Sequence, residues 1–309
     1  MKVVVLAGGT GAAKFVRGLV RAIDPRDLSV IVNTGDDLVW WGLHVSPDLD
    51  TICYELGGLL DRQRGWGRLE ETFHCRDAMR ALGQASWFNV GDRDLSTHLF
   101  RTERLRAGVP LSEVTAALCA RWGIASRILP MTDARVRTIV TMDDGDVPFQ
   151  EFFVRRRHTG AVHAVRFEGA STAQPAPGVI DAIHHAAIVV IAPSNPVTSV
   201  GPILGVLGMT EALSTTSART VAISPVVGSA AVSGPAARLM ATRGWPTTAA
   251  GVAMAYRSFL DVLLCDVGDA ALAGDIEKLD VHPVFTNILM SDTSMAEHLA
   301  KETLDAGAH

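Results

Sequence analysis

The chain opens on an apolar run, a glycine-rich turn, a segment of helical period and a second apolar run. Val3–Leu6 reads as a buried strand, Ala13–Ile23 as a helix and Leu28–Val32 as a second strand ending at Asn-Thr-Gly-Asp-Asp (33–37). Strand, helix and strand in so short a span predict a βαβ unit with a right-handed crossover and a parallel sheet. From Arg62 to about Gly123 the period is mostly helical, with Arg- and Glu-rich faces. Between Arg137 and Phe167 it shifts to that of a hairpin, with Asp-Asp-Gly-Asp (143–146) at the turn. Ala170–Gly178 is a loop or linker, after which strand-like runs return at Ala187–Ala192, Thr220–Ser224 and Asp261–Asp266. The pattern predicts an α/β fold: a Rossmann-like, doubly wound, mainly parallel sheet formed by residues 1–61 and 179–309. A mostly helical smaller domain with a hairpin, residues 62–178, is expected as an insertion.

Composition narrows the class. With 309 residues, 48% hydrophobic, the chain has ample material for a large core. A formal charge of −5 gives no general attraction to nucleic acid. Cys53, Cys75, Cys119 and Cys265 form no CxxC pair and no zinc spacing, which suits idle thiols in a reducing compartment. The sequence opens with no charged, long apolar leader, and no run is long enough to span a bilayer. A soluble cytoplasmic protein with no membrane or nucleic-acid partner is expected.

Three polar clusters carry candidate chemistry. Gly-Gly-Thr-Gly-Ala-Ala-Lys (8–14) is not a Walker A loop, because it lacks the GK[ST] ending. It is a poor dinucleotide fingerprint, because Lys14 stands where the third small residue belongs. Gly8, Gly9, Thr10 and Gly11 permit a tight turn, backbone N–H groups at a helix start attract an anion, and Lys14 adds a charge. A ligand-free βα turn would use the same glycines. The acidic loop, residues 33–51, brings Asp36, Asp37, Asp48 and Asp50 to the carboxyl edge expected to bind ligands. One or two carboxylates with substrate phosphates commonly hold Mg2+. Asp48 could instead favour a helix start, Asp37 could be solvated, and Trp40 and Trp41 could be core or stack on a planar ligand. In the third cluster (89–98), Asp94 is placed to cap a helix running on through Arg101, Arg104 and Arg106. Arg93, His98 and Arg101 either clamp phosphate oxygens or join an Asp–Arg surface network. Two later turns repeat the logic after adjacent strands: Pro193, Ser194, Asn195 and Pro196, then Ser224, Pro225, Gly228, Ser233 and Gly234. Small polar residues there allow close backbone approach, or simply make turns.

Six of these motifs, GGTGAAK, NTGDD, SPDLDT, GDRD with TH, APSNP followed by GPI, and SP with VSGPA, stand in the order found in the 2-phospho-lactate transferase family. The chain resembles that family, of the CofD or FbiA type, over nearly its whole length, including the RGWG and FQEFFV segments. The resemblance implies a Rossmann-like core with an inserted domain, a dimer, and a step in deazaflavin coenzyme (factor 420) biosynthesis. A guanosine diphosphate bearing a three-carbon acid on its terminal phosphate would donate the phospho-acid to the terminal ribityl hydroxyl of Fo, a deazariboflavin, and release GMP. Mg2+ is required in the family. On this reading Gly8–Gly11, Lys14, Ser194, Asn195, Ser224 and Gly228 hold the donor. Asp36, Asp37 and Asp50 hold the metal, with Asp36 and Asp50 catalytic. Asp50, Asn89, Asp92, Arg93 and His98 face the acceptor. Some members carry a basic residue where this chain has Asn89. Trp40, Trp41, Trp66 and Trp87 flank the deazaflavin or pack in the core. The motifs do not choose among lactyl, enolpyruvyl and glyceryl donors. The competing expectation is a sugar-nucleotide-binding regulatory protein of a related branch, which shares the glycine turn; a nicotinamide oxidoreductase ranks third.

Overall fold

The computed structural model describes residues 1–232 and 234–308. Ser233, expected in the later of the two small-residue turns, lies outside them. The opening unit forms as expected: β1 (Val3–Ala7), α1 (Gly9–Ala22) and β2 (Leu28–Val32). The helix starts at Gly9 and not at Ala13, because the turn is completed almost at once. Gly8 is extended, and Gly9 turns the chain into the helix at φ +74°, a conformation that costs glycine little. The acidic loop contains a hairpin absent from the sequence reading, β3 (Leu38–Trp40) and β4 (Leu43–Val45), turned through Trp41 and Gly42 at φ 50° and 78°. Helix α2 (Pro47–Leu56) follows, with proline in its first turn, where a missing N–H costs nothing.

Helices α3 (His74–Ala81), α4 (Asp92–Arg106) and α5 (Leu111–Arg121) fill the expected helical stretch. The chain then returns to the main sheet as β5 (Arg127–Pro130), which pairs parallel with β2. The division at 62 and 178 therefore does not follow the sheet. Ile128 and Leu129 point into opposite cores, an alternation too short to register as a strand beforehand. Strands β6 (Arg137–Met142), β7 (Gly145–Pro148) and β8 (Val162–Glu168) make a separate antiparallel sheet in the order β7-β6-β8. The FQEFFV segment is not part of the hairpin: Glu151–Arg155 winds into a π-helical turn. Phe149 and Phe153 stack at 5.4 Å, four residues apart, which is helical spacing.

The second half adds β9 (Ile188–Ile191), β10 (Arg219–Ile223), the small hairpin β11 (Val226–Val227) and β12 (Ala230–Ala231), β13 (Val262–Asp266) and β14 (His282–Thr286). The main sheet is seven-stranded and parallel, in the order β14-β13-β10-β9-β1-β2-β5. Strand order reverses at β1, so the crevice between the turns after β1 and β9 is the switch point where such sheets take ligands. Each face buries its own core. Val3, Val5 and Ala7 pack under α1, and Val4 and Leu6 pack on the opposite side.

The C-terminal helix, Thr293–Ala308, lies against α1 at a glycine. A Cβ added to Gly18 would stand 2.2 Å from the carbonyl oxygen of Ala296. Gly18→Ala must therefore push the two helices apart. We expect it to destabilise the protein by about 1–3 kcal/mol, the usual cost of overpacking, read by urea denaturation. An unchanged midpoint would show that the helices slide without cost.

Candidate active site

The switch-point crevice holds a cavity of about 440 Å³, within the range of small-molecule sites. The glycine turn forms one wall. Gly11 must be glycine: an added Cβ would lie 2.4 Å from the carbonyl oxygen of Pro193, the turn after β9. Ser194 Oγ closes the same contact by donating to the Gly8 carbonyl at 2.8 Å. Asp48 closes it from the other side, accepting from Gly9 N (2.9 Å) and Asn33 Nδ2 (3.0 Å). Glycine turn, acidic loop and Pro-Ser-Asn turn are thus tied into one piece. Gly8, Gly9, Thr10, Gly11, Ser194 and Asn195 all line the cavity. Asn195 also shapes its own turn, accepting from Val197 N and Thr198 N.

Asp36, Asp48, Asp50 and Asp94 reach the cavity wall, with no Lys or Arg among the described lining residues. Their surroundings set them apart. Asp36 is buried and its Oδ1 has no partner. Burial first, then the charge of Asp48, pushes it well above the usual carboxylate range. Burial likewise raises Asp48, to about 6, against its hydrogen bonds from Asn33 and Gly9. Asp50 is paired at both oxygens with the buried guanidinium of Arg101. Burial would raise Asp94, but His98 and the Tyr54 hydroxyl outweigh it and hold the carboxyl below its ordinary value.

Asp36 and Asp48 are buried carboxylates with no ion-pair partner among the described residues, and the charge of Asp48 adds to the cost of ionising Asp36, so this pair has the chemistry of a cation site. The sequence reading counted Asp48 among the acidic-loop carboxylates, with a helix start as its alternative, and left it out of the metal set of Asp36, Asp37 and Asp50. Asp50, Asp94 and His98 also place ligand atoms within 4.8 Å of one another, but Arg101 already supplies the positive charge there. Asp37 is not at the cavity: its Oδ2 accepts from Ser46 Oγ (2.7 Å) and faces His44 Nε2 (2.9 Å).

The acceptor-side candidates divide. Asn89 and His98 line the cavity, and Asn89 Oδ1 accepts from Arg76. Asp92 does not; it caps α3, accepting from Thr72 Oγ1, His74 N and Cys75 N. Arg93 points outward to Glu70 and the Leu69 carbonyl. The cap of α4 is Glu71, whose carboxylate accepts from the N–H groups of Arg93 and Asp94. That frees Asp94 to turn inward, against the cap expected of it. Lys14 is exposed on α1 and outside the cavity lining. Ser224 is spent on its own turn with Val226, and Gly228 N donates to Asp269; neither lines the cavity, whereas Pro225 and Gly234 of the same turn do. Among the tryptophans, Trp66 alone lines it, while Trp40, Trp41 and Trp87 pack together. Phe88, Phe149 and Phe153, with Gln150, line the same cavity; Phe149, Gln150 and Phe153 had entered the sequence reading only as part of the FQEFFV segment, with no role, and Phe88 not at all. The helical spacing of Phe149 and Phe153 was the available signal.

Three comparisons bear on this arrangement. The family described as 2-phospho-L-lactate transferase CofD matches residues 3–297. A phosphoenolpyruvate transferase of Streptomyces griseus is 44% identical, covering 99% of this chain and 98% of its own. That of Streptomyces coelicolor is 45% identical over 98% and 97%. A solved Bacillus halodurans protein of the UPF0052 family aligns with a TM-score of 0.70 at 17% identity, covering 98% of each chain, which speaks to the fold alone. The glycine turn, the acidic loop and the GDRD helix that meet at this cavity all lie within the matched span, and the chain belongs to the CofD 2-phospho-L-lactate transferase family.

Proposed function

We propose that the chain transfers a phospho-(three-carbon acid) group, of the phosphoenolpyruvyl type, from a guanosine diphosphate donor to the ribityl hydroxyl of Fo. GMP is released and a precursor of coenzyme F420 is formed. The observation that carries the reading is the mixed lining of one cavity: the glycine turn and buried carboxylates, which suit a phosphate and its counter-ion, together with the aromatic side chains Trp66, Phe88, Phe149 and Phe153, which suit a planar ring. The relatives' name, phosphoenolpyruvate transferase, favours the enolpyruvyl acid over lactyl and glyceryl.

The roles follow from the chemistry. Backbone N–H groups at the start of α1 take the donor's phosphates. The aromatic side chains of the lining hold the deazaflavin ring and keep water from the donor. Asp50 accepts the hydrogen bond of the acceptor hydroxyl, whose oxygen forms the new bond to the acid-bearing phosphorus as the bond to GMP breaks. The hydroxyl proton leaves to solvent. A polyanionic donor entering a cavity lined by four aspartates and no described Lys or Arg needs a counter-charge. Bound at Asp36 and Asp48, Mg2+ would neutralise the diphosphate and the departing GMP.

Incubation with Fo and the guanylylated forms of phosphoenolpyruvate, phospholactate and phosphoglycerate, followed by mass identification of product, tests the transfer. The enolpyruvyl product should dominate, and no product from any donor would refute the reading. Asp50→Asn should slow turnover by about 10²–10³, the usual loss of one transition-state contact, with GDP binding retained in protein verified as folded.

The metal reading makes a separate prediction. A carboxyl raised on folding binds its proton more tightly in the folded state, so it stabilises the fold at low pH. That contribution is complete below the ordinary range near pH ~4 and is lost as pH rises through the folded value, about 6 for Asp48. Asp36 is raised in the same direction. In the presence of a chelator, Asp36→Asn should therefore melt higher than wild type at pH 7.5 and at the same temperature at pH 4. Added Mg2+ should raise the melting point of wild type at pH 7.5 and leave the variant unmoved. Equal responses would remove Asp36 from the cation site.

A further inference from the structure

Asp50 is held from behind. Arg101, on α4, is 2% exposed and the bulkiest of the fully buried side chains. Its Nη2 donates to Asp50 Oδ1, and its Nη1 to Oδ2 at 3.2 Å. This two-pronged contact fixes both the distance and the plane of the carboxylate, which a lysine's point charge does not. The guanidinium is itself fixed. Nη1 reaches the His44 carbonyl at 3.4 Å and His98 Nδ1 at 3.3 Å. A guanidinium carries only donors, so Nδ1 is the lone-pair nitrogen and the ring proton sits on Nε2, which faces Asp94 Oδ2 at 3.2 Å. Asp94 Oδ1 accepts from the Tyr54 hydroxyl at 2.6 Å. The network leaves α2 at Tyr54, crosses α4 and returns to α2 at Asp50. Arg101 itself does not line the cavity.

Stability alone gives no reason for this pair. Burying two charges costs desolvation that apolar side chains of the same volume avoid. Its place suggests the reason: the carboxylate it orients stands at the cavity wall.

We propose that Arg101 is a positioning residue for the transfer, acting on the acceptor hydroxyl only through Asp50. It fixes the plane of the Asp50 carboxylate and sustains its charge. This rests on the acceptor role given to Asp50 above, and the test separates the two.

Wild type, Asp50→Asn, Arg101→Lys and the variant carrying both are compared, each checked by circular dichroism and melting. Arg101→Lys keeps the charge and loses the fork. Its kcat should fall by about 10²-fold, as for a misplaced reacting group, with the acceptor KM and GDP affinity within about threefold of wild type. The double variant should be no slower than Asp50→Asn, because without the carboxylate Arg101 has nothing to orient. A wild-type kcat in Arg101→Lys, or losses that multiply in the double variant, overturns the proposal. Normal turnover in Asp50→Asn would instead overturn the reading of Asp50 itself. Should Arg101→Lys not fold, Arg101→Met in the Asp50→Asn background leaves no lone buried charge; a rate below that of Asp50→Asn alone overturns the proposal there as well.

Discussion

The site depends on how closely the start of α1 approaches the turn after β9. No side chain fits at Gly11, because the Pro193 carbonyl occupies its place, and none fits at Gly8, where an added Cβ would lie 2.7 Å from Ser199 Cβ. Two turns from neighbouring parallel strands therefore meet backbone to backbone. The contact narrows the switch-point crevice until the N–H groups of α1, the Asn195 turn and Asp48 all face one cavity. A wider crevice would leave the same residues at the sheet edge but too far apart to act on one ligand. The glycines serve the approach first, and the proposed phosphate binding rests on it.

Once that approach is fixed, electrostatics divides the aspartates by their partners. Burial disfavours the charges of Asp36 and Asp48, and a neighbouring carboxylate adds to it in each case, Asp48 beside Asp36 and Asp37 beside Asp48, so both gain from a cation. Asp50, on the same helix as Asp48, is held by Arg101. Asp94 is balanced by His98 and Tyr54. Four carboxylates of one residue type thus carry two tendencies, to attract a cation and to stay in a fixed anionic orientation. Phosphoryl transfer to a hydroxyl uses both.

The parts legible in the sequence are those where a single residue type is dictated by local physics. The buried strands at Val3–Leu6 and Leu28–Val32 and the glycine turn formed where the pattern put them, and the helix start that was the alternative for Asp48 is real, in the proline-initiated helix that also bears Asp50. What stayed hidden was decided by tertiary context. Strands β5 and β14 are too short and too mixed in pattern to stand out, and exist because each completes a sheet edge. Lys14 follows the glycines in sequence, yet the helical period carries it to the exposed face. Arg93 and Asp92 share a motif with His98, but a helix sends its residues in all directions, and only part of that motif faces the cavity. Asp94 read as a cap because no local signal showed that Glu71, from a preceding loop, would cap the helix instead.

Fold and chemistry separate cleanly. The Bacillus halodurans protein shares the fold with this chain at 17% identity, so the sheet, its switch point and the crevice require few particular side chains. The curated relatives at 44–45% identity span the same length and carry the transferase name. A parallel sheet supplies an anion-binding edge to any sequence that buries its two faces. On the proposed function, the particular reaction resides in what is added at that edge: an Asp36 whose Oδ1 has no partner, an Asp48 bound to the glycine turn, an Asp50 with an arginine behind it, and the aromatic side chains of the same cavity. These additions oppose stability, since each buries charge or exposes an aromatic ring to a cavity. The surrounding core, with Val5, Leu6, Ile31, Val190 and Ile191 fully buried, offsets that cost and keeps the additions in register.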